Sequence, residues 1–121
     1  MTKILVIEDE PTLRDELVLI LTFEGYDAIP AQDGKSGIEL ASQHLPNLIL
    51  CDVTMPRLDG YAVFTQLRNA PETRNIPFVL MTARATDEDL RQGNALGVDG
   101  YITKPFRHQD FMGMIEMQLA R

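Results

Sequence analysis

The sequence has no tryptophan and a single cysteine, Cys51. One cysteine excludes an internal disulfide framework and any cysteine-clustered metal site. Cys51 sits in an apolar run directly before Asp52, where a small buried filler is expected rather than a redox group. No apolar stretch is long enough to cross a bilayer. The first residues, Met1 to Ile7, turn acidic too soon to read as a secretory leader. A soluble, cytoplasmic chain without membrane contact is expected. Bases are also scarce: 11 Lys and Arg stand against 18 Asp and Glu, for a formal charge of −7. That balance gives no attraction to phosphate backbones, so direct nucleic-acid binding by this segment is not expected. Repeats, low-complexity tracts and linker-like stretches are missing too, and residues 1–121 read as one domain.

What the chain has is alternation. Lys3–Ile7 reads as a strand and runs into Glu8-Asp9-Glu10. Pro11 then suits a first helical turn, Leu13, Leu17, Ile20 and Leu21 follow at helical spacing, and Gly25 ends that helix. Tyr26–Pro30 reads as a second strand and Asp33–His44 as a second helix. Asn47–Cys51 is continuously apolar, the mark of a strand buried on both faces of a parallel sheet. Residues 55–60 form a loop, and Tyr61, Val63, Phe64 and Leu67 a third helical stripe. Ile76–Met81 is a fourth strand. Thr86 with Asp89 makes a capping-box-like start to a fourth helix, and Gly97 is its stop. Val98–Thr103 is a fifth strand and Asp110–Arg121 the last helix. Five strands alternating with five helices imply right-handed crossovers and a parallel α/β sheet covered on both faces.

Polar groups stand at the ends of these strands: Glu8 and Asp9 after the first, Asp52 after the third, Thr82 after the fourth, Lys104 after the fifth. In an open parallel sheet those ends share one edge, where ligands bind. Three carboxylates there repel one another. A hard divalent cation relieves the repulsion, and Mg2+, which favours oxygen ligands, is the expected one. With a cation in place, Asp52 is a candidate nucleophile for phosphoryl transfer, with Lys104 and the Thr82 hydroxyl meeting the phosphoryl oxygens. Single residues here have plain readings: an acidic run is usually solvated, and Tyr101 alone is a half-buried core ring. His44 and His108 lack metal-ligand spacing. The convergence carries the argument.

These residues resemble the response regulator receiver domains of two-component systems, of the chemotaxis-regulator type. The resemblance covers essentially the whole chain. It rests on Glu8-Asp9, on Asp52 with Met55-Pro56 and Asp59-Gly60 behind it, on Thr82-Ala83, and on Tyr101 with Lys104-Pro105-Phe106. It implies a flavodoxin-like, doubly wound sheet of order 2-1-3-4-5. It implies that a histidine kinase, a phosphotransfer protein or a small acyl phosphate supplies a phosphoryl group to Asp52. Asp9, Asp52 and the Thr54 backbone carbonyl would hold Mg2+ directly, and Glu8 through water. Thr82 and Tyr101 would form a switch pair: Thr82 moves toward the phosphoryl group, Tyr101 turns inward, and the surface of the fourth helix, fifth strand and fifth helix changes for an output domain or partner. Pro105 is expected to be cis. Thr54 and Arg84 occupy positions that vary in the family and tune the lifetime of the phosphoryl group.

Two other functions share parts of this pattern. A haloacid-dehalogenase-like phosphatase or phosphotransferase also uses a strand-end aspartate, but Thr54 stands where its second aspartate belongs. A flavodoxin needs a phosphate cradle after the first strand, where Glu8-Asp9-Glu10 would repel a flavin phosphate. In the last helix Phe111, Ile115 and Leu119 should face the core, with Gly113 and Met117 outward and Met114 on the flank. Scattered exposed apolar residues are ordinary on a surface; the alternative is that this outward methionine face serves a partner or a phosphorylation-dependent homodimer.

Overall fold

The computed structural model describes residues 1–83 and 86–120. Arg84, and the Arg121 end expected for the last helix, lie outside the described residues. The elements are β1 (Lys3–Ile7), α1 (Pro11–Phe23), β2 (Asp27–Ala31), α2 (Gly34–His44), β3 (Leu48–Asp52), α3 (Gly60–Asn69), β4 (Phe78–Thr82), α4 (Asp87–Leu96), β5 (Gly100–Thr103) and α5 (His108–Leu119). The sheet runs β2-β1-β3-β4-β5, with every neighbouring pair parallel. This is the doubly wound order that the family resemblance implies.

Every residue of β3 and β4 is buried, which is why both read as unbroken apolar runs. Successive side chains alternate between two cores. Leu5, Ile7, Ile49, Cys51, Phe78 and Leu80 share one with Val63, Phe64 and Leu67 of α3. Ile4, Val6, Leu48, Leu50, Val79 and Met81 share the other with Leu17 and Leu21 of α1 and Phe111 and Ile115 of α5. The wedge of helices on both faces leaves the carboxyl ends of β1, β3, β4 and β5 at a common rim. Pro30 fits in β2 because that strand is at the sheet edge, where a missing N–H need not break a ladder.

Local signals placed most boundaries. Gly25 takes φ +94° and Gly97 φ +89° after their helices. Thr86 caps α4, accepting from Asp89 N at 3.1 Å while its hydroxyl donates to Asp89 Oδ2 at 2.7 Å. The fifth strand is shorter than expected. Asp99 leaves it because its carboxylate takes the Phe78 N–H at 2.8 Å and the Arg68 guanidinium at 3.0 Å. In α5, Phe111 and Ile115 are buried and Leu119 packs half-buried against the same core, as expected, while Gln118 is also buried, donating its amide to Asp99 O at 3.1 Å. Met117 and Gly113 face outward as expected, and Met114 is partly buried against the core.

Gly60 joins α3 to the rim. Its N–H bonds Val53 O at 2.8 Å. A Cβ there would fall 2.5 Å from Asp52 O and 3.0 Å from Val53 Cα, both backbone atoms that cannot swing away. Gly60→Ala is therefore expected to lower stability by about 1–3 kcal/mol, the usual range for overpacking. Denaturant unfolding checks this, and a midpoint equal to that of the native chain would count against so tight a junction.

Candidate metal and phosphoryl site

The three consecutive acids after β1 have three different tasks. Glu10 caps α1, its carboxylate accepting from Thr12 N at 3.1 Å and Leu13 N at 2.7 Å. Those backbone donors, Leu13 first, hold the Glu10 carboxyl below its ordinary value. Asp9 is partly exposed at the rim. Glu8 is turned in and only 1% exposed. Its Oε2 accepts from Glu10 N at 3.2 Å, and its backbone carbonyl from the Arg14 guanidinium at 2.9 Å.

Asp52 is the last residue of β3 and is also buried. Lys104 follows β5, where its N–H bonds Thr82 O at 2.7 Å and a cis peptide leads into Pro105. The Lys104 ammonium lies 3.0 Å from Glu8 Oε1 and 3.0 Å from Asp52 Oδ1. Carboxylate oxygens of Glu8, Asp9 and Asp52 all lie within 4.8 Å of one another. Four of the residues singled out in the sequence thus meet in space. Thr82 closes β4 beside them and is buried. Thr54 lies just beyond β3 and is exposed. Tyr101 is not at the acids. It lies on the α3–α4 side, where its hydroxyl donates to Asp89 O at 2.8 Å and meets the Tyr61 hydroxyl at 2.6 Å. Tyr61 is the neighbour that sequence reasoning missed; helical spacing marked it only as part of an apolar stripe.

Three carboxylates with one ammonium leave an excess of two negative charges in a half-closed site. Burial pushes the Glu8 carboxyl up from its ordinary value, and the Asp52 charge adds to this while the Lys104 bond opposes it. Desolvation pulls Lys104 down, but the bonds to Asp52 and Glu8 outweigh it and hold the amine above its ordinary value. Burial pushes the Cys51 thiol well up, so it stays protonated, as a filler should. The donor set at the rim is all oxygen and carries excess charge, which fits a hard divalent cation. Burial also sets a pH dependence. A carboxyl raised above its unfolded value binds its proton more tightly in the native state, so ionising it costs stability as pH rises through the raised value. In metal-free buffer Glu8→Gln is therefore expected to be more stable than the native chain at pH 7. The advantage should vanish as pH falls toward the ordinary value of 4.5. Denaturant titrations across that window check it; an advantage that grows toward acid would contradict it.

The sequence model of a family described as response regulator receiver domain matches residues 4–116. The chain is 37% identical over 121 residues to the DNA-binding dual master transcriptional regulator RpaA of Synechocystis, covering 100% of this chain and 50% of that protein. It spans about half the length of the curated relatives it matches. A putative response regulator from Chloroflexus aurantiacus has the same fold with TM-score 0.93 at 29% identity, over 99% of this chain and 98% of that one. The receiver domain of a sensor histidine kinase from Pseudomonas aeruginosa, with a magnesium ion coordinated in its active site cleft, matches with TM-score 0.91 at 26% identity, over 99% and 98%. These matches give no support to a dehalogenase-like phosphatase.

Proposed function

We propose, on the premise that this chain belongs to the response regulator receiver domain family of two-component phosphorelays, that Asp52 is its phosphoryl acceptor. The observation that carries the reading is the Lys104 ammonium held 3.0 Å from both Asp52 and Glu8, with Asp9 beside them. A carboxylate oxygen of Asp52 forms a bond to phosphorus as the donor's leaving group departs. The donor is a phosphohistidine of a histidine kinase or phosphotransfer protein, or a small acyl phosphate. Water later cleaves the acyl phosphate, so the chain acts on its own phosphoryl group and has no external substrate. Lys104 and the Thr82 hydroxyl meet the phosphoryl oxygens.

Asp9, Asp52 and the Thr54 carbonyl would hold Mg2+, with Glu8 acting through water, and the ion would supply charge neutralisation at the acceptor and the transferred group. Glu8 also keeps Lys104 aimed at Asp52. Thr82 and Tyr101 form the switch pair that reports the new dianion to the α4-β5-α5 surface. The chain works in the cytoplasm, and an output domain or partner reads that surface. A DNA-binding output is favoured by the name of the Synechocystis relative, and the −7 charge assigns that contact to a segment other than this one. Met117, 58% exposed on α5, belongs to the partner surface. Met117→Glu is expected to weaken dimer or partner association in sedimentation runs with beryllofluoride; unchanged association would remove it from that surface.

The test is NMR of the 15N-labelled chain titrated with beryllofluoride, a phosphoryl mimic, in Mg2+. Shifts around Asp52, Thr82 and Tyr101 are expected in the native chain and none in Asp52→Asn. Equal shifts in both would place the acceptor elsewhere.

A further inference from the structure

We infer that Tyr61 is a positioning residue for Tyr101: its hydroxyl, at the start of α3, is a second anchor that holds the Tyr101 ring turned in against α4. The inference rests on the reading of Tyr101 as a switch ring. A phenol has one proton to give. Tyr101 Oη lies 2.8 Å from Asp89 O, whereas Tyr61 Oη lies 3.5 Å from that carbonyl and 2.6 Å from Tyr101 Oη. The distances assign the Tyr101 proton to the carbonyl and the Tyr61 proton to Tyr101. A hydrogen-bonded chain thus runs from α3 through β5 to the first turn of α4.

Packing makes this geometry selective. Gly93 is the buried residue of α4. A Cβ on it would collide with the Tyr101 ring, so the ring lies directly on the helix backbone. Ring and hydroxyl together fasten a helix that otherwise buries little. Tyr61 also sits close behind the acceptor. It follows Gly60, which is bonded to Val53 O and pressed against Asp52 O. A movement of the peptide after Asp52 is thereby passed to the anchor of Tyr101 along a route that does not use Thr82. The plainer alternative is that two half-buried phenols satisfy each other without bearing on the switch.

Tyr61→Phe, Tyr101→Phe and the double variant keep the rings and remove hydroxyls one at a time. The beryllium concentration for half-saturation, at fixed fluoride and Mg2+, is read by NMR. Each single variant is expected to raise it about two- to tenfold, the worth of one hydrogen bond. The double variant should raise it no further than Tyr101→Phe alone does, because that change already removes the bond that Tyr61 makes. The chain has three tyrosines, so 3-fluorotyrosine labelling gives three assignable 19F signals. In Tyr61→Phe the Tyr101 signal should move toward that of a solvent-exposed ring. A native half-saturation value in Tyr61→Phe alongside a raised value in Tyr101→Phe would overturn the role of Tyr61 and leave the switch reading standing. Additive effects would likewise overturn the shared link. Native values in both singles would overturn the reading of Tyr101 as a switch ring, and this inference with it.

Discussion

Lys104→Met should lose about 3 kcal/mol of stability in metal-free buffer, because removing one partner of a buried ion pair strands the charge left behind. Here two carboxylates are stranded, Glu8 and Asp52, both bonded to the same ammonium at 3.0 Å. Methionine fills the stem's volume and supplies no charge, so the loss is electrostatic rather than a cavity. Mg2+ should restore part of it, since a ligand that binds only the native state adds stability with concentration. Phosphoryl uptake from a small acyl phosphate should meanwhile fall about 10²–10³-fold, the usual cost of losing one donor to a developing anionic group. Thermal unfolding with and without Mg2+, and the rate of phosphoprotein formation, measure the two effects separately. A variant as stable as the native chain in both buffers would mean that the site is not the strained cluster described.

Asp9→Asn should do the reverse, with a large effect on the metal and a small one on the fold. Asp9 is partly exposed, and no ion pair to it occurs among the described residues. Its charge has no structural partner to strand. Its oxygen lies within 4.8 Å of carboxylate oxygens of Glu8 and Asp52, close enough for the three to share the proposed cation. Even a changed outer-shell partner lowers metal affinity about 10–100-fold, so the loss of a direct carboxylate ligand should be at least that large. Stability without metal should be unchanged or raised, as one repelling charge is gone. Mg2+ titration followed by NMR gives the affinity, and an unaltered affinity would put the metal elsewhere.

The parallel sheet was legible because β3 and β4 are buried on both faces and carry no alternation to confuse with a helix, whereas its order came from the family resemblance and not from the apolar pattern. Asp52 and Lys104 were legible because each ends an apolar strand, and parallel topology delivers strand ends to one rim. What escaped has physical causes. Glu10 is a helix cap, and that depends on extended backbone at residue 10 rather than on residue type alone. Gln118 joins Leu119 on the inward face, Leu119 packing half-buried on the core, because a helix turns every 3.6 residues. A strict four-residue count from Phe111 and Ile115 drifts off the buried stripe, and Gln118 earns its burial through its bond to Asp99 O. The Tyr61–Tyr101 pair spans 40 residues, and the direction of a phenol is set by tertiary packing, here by the flat surface at Gly93.

Mapping the phosphoryl group decides the account's central claim. The chain is incubated with a small acyl phosphate, with Mg2+ or with chelator, and the acid- and hydroxylamine-labile adduct is located by mass spectrometry. The account predicts one added phosphoryl group, on Asp52, formed with Mg2+ and absent with chelator or in Asp52→Asn. An adduct on another residue, or equal labelling with the metal removed, would contradict it.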